Sequence, residues 1–116
     1  MTNELGVRVT TFARGVVIHL SGPLSSGAAM RLGEAIAAVD ERATPTVILD
    51  LQRVPACDLQ GMGAIIAAMK HAARRDIRLI MAAAGPPIAQ AVERHGLTDR
   101  AELRDSLREA LDELEG

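Results

Sequence analysis

The stretch at residues 54–66, VPACDLQGMGAII, holds the chain's densest set of residues whose types and spacing could do chemistry. Asp58 stands three residues before Gly61, ahead of an apolar run that repeats at helical spacing. A carboxylate there can accept a hydrogen bond from a free N–H of the first helical turn, a cap that contributes about 1 kcal/mol. The same carboxylate can also contact a partner. Leu59 takes the first helical position, where a side chain normally points outward. Either it folds back onto Pro55 or Met62, or it stands exposed as an apolar anchor for another protein. Gly61 and Gly63 each cost a helix about 1 kcal/mol relative to Ala. Two glycines in one turn call for close packing of the helix on a sheet, or for a smooth surface that a partner backbone can approach. In the second case an exposed Leu59, with Gln60 and Met62, forms a binding patch.

Other reactive residue types are sparse. Cys57 beside Asp58 invites a nucleophile reading, with His19 as a base close in space; the alternative is a small buried residue at a strand end. His19, His71 and His95 fall on three separate elements without metal-ligand spacing. The chain has no phosphate-binding glycine loop of either common type and no G-x-S-x-G elbow. Ser21, Ser25, Ser26 and Ser106 can each accept a phosphate, and each also suits a cap or turn. No catalytic, cofactor or metal residue is assigned.

The elements that must position the 54–66 stretch can be read from hydrophobic periodicity. Residues 7–12 alternate and residues 16–20 are nearly continuously apolar, which predicts a hairpin turning at 13–15. Ser25 or Ser26 is placed to cap a first helix running to Asp40, with Leu32, Ala35, Ile36 and Val39 on its buried face. Thr44-Pro45 ends that unit. Residues 46–51 predict a central strand covered on both faces. Residues 59–74 predict a second helix, with Met62, Ile65, Ile66, Met69, Ala72 and Ala73 as its stripe. A fourth strand follows at 77–81, then a helix opened by Gly85-Pro86-Pro87 and stopped at His95-Gly96. Residues 97–103 suit a short strand or a turn, and Leu103, Leu107, Ala110, Leu111 and Leu114 a last amphipathic helix. The fold class is α/β. Alternating strands and helices imply parallel pairing in a mixed sheet of four to five strands, with the hairpin at an edge and about four helices.

Composition narrows the function classes. A chain of 116 residues suits one domain. Phe12 is its only aromatic residue, so recognition of nucleic acid by base stacking is nearly excluded. A net charge of −2 gives no field to attract nucleic acid or an anionic membrane. The basic cluster at Lys70, His71, Arg74 and Arg75 reads as the cation-rich end of its own helix. One cysteine rules out a disulfide framework. No signal peptide or membrane-length apolar run is visible, so a cytoplasmic location and no membrane insertion are expected.

The runs Val47-Ile-Leu-Asp-Leu-Gln-Arg-Val54, Asp58-x-x-Gly61-Met62-Gly63 and Pro86-Pro-Ile-Ala-Gln-Ala-Val-Glu-Arg-His-Gly-Leu97, in that order, resemble the STAS domain. That domain is shared by bacterial anti-sigma factor antagonists and the tails of sulfate transporters. The resemblance spans residues 7–114 and includes Leu20-Ser-Gly-Pro-Leu24. It implies that the whole chain, residues 1–116, is a single STAS-like domain. It also implies a non-enzymatic regulatory module that binds an anti-sigma factor, itself a kinase, and so frees a sigma factor for transcription. An accessory or scaffold subunit of a stress-signalling or membrane transport assembly is the alternative, and a homodimer a further possibility. In the family, the residue after the Asp is a phosphorylated serine whose modification breaks the complex. That position is Leu59 here, which has no hydroxyl, and Ser25 takes the place of a family Asp. The resemblance therefore implies partner binding at Ser25, Asp58, Leu59, Gln60, Gly61 and Met62 without phosphorylation at the usual place.

Overall fold

A computed structural model describes residues 5–25, 27–39, 46–96 and 102–115. Nine elements follow in order: β1 (Gly6–Phe12), β2 (Gly15–Ser21), α1 (Ala28–Ala37), β3 (Thr46–Arg53), α2 (Leu59–Arg74), β4 (Arg78–Ala82), α3 (Pro86–Arg94), β5 (Glu102–Arg104) and α4 (Leu107–Glu115). The five strands form one sheet in sequence order. β1 pairs antiparallel with β2, and the remaining neighbours pair in parallel. This is the mixed α/β sheet with an edge hairpin and four helices that the periodicity predicts.

The central strands are apolar on both sides because both faces are covered. Ile18, Leu20, Val47, Leu49 and Leu51 join Leu32 and Ile36 of α1, Met62 and Ile65 of α2, and Ile88 and Val92 of α3 in one core. Val17, Ile48 and Ile80 meet Ala110 and Leu114 of α4 in a second core on the opposite face. Alternation along each strand sends successive side chains to these two layers.

Helix ends follow local chemistry. Asp58 caps α2 as expected, and α2 has the predicted limits. α3 starts at Pro86 and ends at His95-Gly96, where Gly96 takes φ +66°. Four expectations need correction. α1 begins after Gly27 with no side-chain cap, so Ser25 does not cap it; Ser25 offers its carbonyl to the Ala28 N–H instead. Leu103 belongs to β5 and not to the last helix, because Ser106 starts that helix by accepting from the Glu109 N–H. Arg75 does not simply serve its own helix: its guanidinium donates to the carbonyls of Ile36 and Val39 at the end of α1. α1 also stops at Ala37, capped by Ala38, short of the expected run to Asp40; the expectations on Ser26, Thr44-Pro45 and residues 97–101 lie outside the described residues. Among the described residues no helix is long and apolar enough to cross a membrane.

Candidate functional site

The start of α2 is built mainly from backbone. After β3 the chain runs beside the segment that follows β2, and Leu24 forms an isolated parallel bridge with Cys57. The Leu24 N–H donates to the Ala56 carbonyl at 2.9 Å, and the Asp58 N–H donates to the Leu24 carbonyl at 3.1 Å. Asp58 is extended, and its Oδ1 accepts from the Gly61 N–H at 2.8 Å. A Cβ on Gly61 would sit 2.1 Å from the Leu24 carbonyl oxygen, so only glycine lets α2 approach this closely. A Cβ on Gly63 would meet nothing within 4 Å. Close packing therefore accounts for Gly61 and not for Gly63.

This frame leaves Leu59 81% exposed, so it does not fold back onto Pro55 or Met62. Gln60 beside it is exposed, and Ser25, next in chain to the bridging Leu24, is half-buried at the rim. Met62 needs correction as a surface residue. At 5% exposure it packs into the first core, because the fourth helical position turns inward under Leu59. Gly61 is buried likewise. Of the expected patch, Ser25, Asp58, Leu59 and Gln60 are accessible, and Gly61 and Met62 lie beneath them. Met30, 72% exposed in the first turn of α1, is a large apolar surface residue that sequence reasoning passed over. The signal was present: Met30 lies off the stripe of Leu32, Ala35, Ile36 and Val39.

The structure does not bring Cys57 and His19 together. Cys57 packs against the first core, whereas His19 lies two residues from Val17 on the face of the second. Burial, and then the charge of Asp58, push the Cys57 thiol up, which disfavours the reactive thiolate. Among the described residues no group of His, Cys, Asp and Glu could hold a metal ion.

His19 has another partner that sequence reasoning missed. Its Nδ1 is 2.8 Å from Asp50 Oδ2, and its Nε2 is 3.1 Å from the Thr10 hydroxyl. Asp50 is 3% exposed and also accepts from the Gln52 N–H at 3.2 Å and the Gln52 side-chain amide at 3.1 Å. A buried carboxylate is tolerated because its oxygens are paired in this way. The clue was one polar residue at the same offset in two apolar runs, since Val16 pairs with Val47 and His19 with Asp50.

Comparison with known proteins agrees with this architecture. Residues 7–110 match the STAS domain. An anti-sigma factor antagonist from Mycobacterium paratuberculosis superposes with TM-score 0.82 at 22% identity, over 100% of this chain and 98% of that one. The Bacillus cell fate determinant SpoIIAA, in its phosphorylated form, gives 0.73 at 23% identity over 93% and 98%. A sulfate transporter family protein from Wolinella succinogenes gives 0.75 at 23% identity over 93% and 89%. No curated protein matches the sequence.

Proposed function

The chain belongs to the STAS domain family, and from that premise we propose that it is a non-enzymatic module that binds an anti-sigma factor through the start of α2 and so frees a sigma factor. The observation that carries this reading is the 81% exposure of Leu59 on a helix start fixed by a cap and a glycine contact. An apolar side chain on a rigid frame loses little entropy on binding, which favours an anchor role. Ser25, Asp58 and Gln60 supply a polar rim, and Gly61 and Met62 support the surface from below.

Binding is constitutive in this account. A phosphate at a helix start is stabilised by free N–H groups while its charge repels an acidic partner surface. Leu59, at the position where the family carries its phosphorylated serine, offers no hydroxyl for that switch. The module is a single cytoplasmic domain. The likeness to the M. paratuberculosis antagonist and SpoIIAA supports this partner class. The likeness to the W. succinogenes transporter family protein supports the second reading, an accessory or scaffold subunit that uses the same patch.

The test mixes the protein with the anti-sigma factor kinases of its own cell, with and without ATP. A complex with one of them that survives ATP, while the Leu59→Ser complex dissociates as its serine is phosphorylated, is expected. Release of the unsubstituted protein by ATP would overturn constitutive binding. Binding to a transporter subunit and to no anti-sigma factor would favour the second reading.

A further inference from the structure

A cavity of about 480 Å3 lies at the carboxyl ends of β2 and β3, on the side of the sheet that faces α4. This is within the size range of small-molecule sites. Strand carboxyl ends are also where open α/β sheets tend to bind ligands. Arg8, His19, Ser21, Gln52, Arg53 and Leu107 line it. The partner turn at Leu59 accounts for none of these residues.

The chemistry of the lining is one-sided. Arg8, His19 and Asp50 lie in register across β1, β2 and β3, so their side chains share one face. The negative member of that row is already satisfied: Asp50 takes His19 and both Gln52 donors, and it is buried. The positive members are not. Neither Arg8 nor Arg53 is ion-paired among the described residues. The Ser21 hydroxyl adds a donor beside them. Arg8 shares the face of His19 and Asp50, and Arg53, the last residue of β3, borders the cavity at the strand end, so two arginines without an ion pair and several neutral donors surround whatever enters.

The backbone keeps the space open. The β2–β3 register shifts between His19 and Ser21, a bulge that opens the ladder at the cavity floor. A Cβ on Gly6 would sit 2.5 Å from Ser21 Oγ, so the bare glycine leaves room at that wall. Leu107, the first residue of α4, forms the apolar lip.

We propose that this cavity binds a small oxyanion, a carboxylate or a phosphate, held by Arg8 and Arg53 over the His19–Asp50 pair. Guanidinium forks match both oxyanion types in bidentate geometry. The site is independent of the partner surface at Leu59. It gives the module an input from a small metabolite in place of the missing hydroxyl switch.

The test is a titration of the 15N-labelled protein with inorganic phosphate and, separately, with succinate, at ionic strength held constant with sodium chloride. Saturable shifts of the Arg8, His19, Ser21 and Gln52 amides are expected with at least one of the two anions. Which anion acts distinguishes a phosphate-bearing from a carboxylate-bearing ligand. The Arg8→Gln/Arg53→Gln double variant, with unchanged unfolding temperature, is expected to weaken binding at least tenfold. Absence of saturable shifts with both anions would overturn the proposal. So would shifts that persist undiminished in the double variant, or that fall only at the start of α2.

Discussion

The start of α2 and the strand-end cavity are built on opposite principles. At the start of α2 the frame is backbone: a bridge at Leu24, a capped helix end and a glycine contact. That frame spends its one carboxylate on the cap and presents an apolar side chain to solvent. In the cavity the frame is side chains: Thr10, His19, Asp50 and Gln52 hold one another through hydrogen bonds. That frame buries a charge and leaves cations at the surface. A backbone frame tolerates changes to what it displays, whereas a side-chain frame fails when one member is lost.

The sharpest break of this contrast is Asp50→Ala. It leaves His19 and Gln52 without their shared acceptor and is expected to cost about 3 kcal/mol. Urea denaturation followed by circular dichroism measures it. A cost below about 1 kcal/mol, the scale of an exposed pair, would remove the cavity's side-chain frame from the account.

Next comes a pair of glycine substitutions two residues apart. Gly61→Ala drives a methyl into the Leu24 backbone and is expected to cost about 2 kcal/mol. Gly63→Ala meets open space on a helix and is expected to stabilise by about 1 kcal/mol. Opposite signs in thermal unfolding support the backbone frame; equal signs contradict it.

The smallest effect concerns acid. Arg78, Glu102, Arg104 and Glu113 tie α4 to β4 and β5. Hydrogen bonds from Arg104, and then from Arg78, hold the Glu113 carboxyl down to about 2. Because that value is lowered in the folded state, its stabilisation is complete above the ordinary carboxylate range and disappears as pH falls toward 2. Unfolding temperature is therefore expected to drop between pH 4.5 and 2, and to drop less in Glu113→Gln.

The same division explains what the sequence made legible. Asp58 and Gly61 are three residues apart, and the cap, helix and limits of α2 follow from local spacing. The parallel pairing and the edge hairpin were accessible for a similar reason, because alternating units leave few ways to pair; the order of the strands was not read from the sequence. His19 and Asp50 are 31 residues apart and meet only once β2 and β3 pair in register. Arg75 offers a second case: the cluster does supply a basic last turn to α2 through His71 and Arg74, but the acceptors of Arg75, Ile36 in α1 and Val39 just past its end, are far off in sequence and could not be read from it. Met62 was placed both in the buried stripe and on the surface patch, and packing chose the stripe. Ser25 was misread as a cap because the turn before α1 uses its carbonyl and not its hydroxyl.

The proposed function rests above all on the exposed leucine at the capped start of α2 as the anchor for a protein partner, without a phosphorylation switch. The direct measurement is the affinity of Leu59→Asp for the anti-sigma factor, by calorimetry, beside its unfolding temperature. At least a tenfold loss of affinity, about 1.4 kcal/mol, is expected with unchanged unfolding temperature, because Leu59 is 81% exposed. Unchanged affinity at unchanged stability would contradict it.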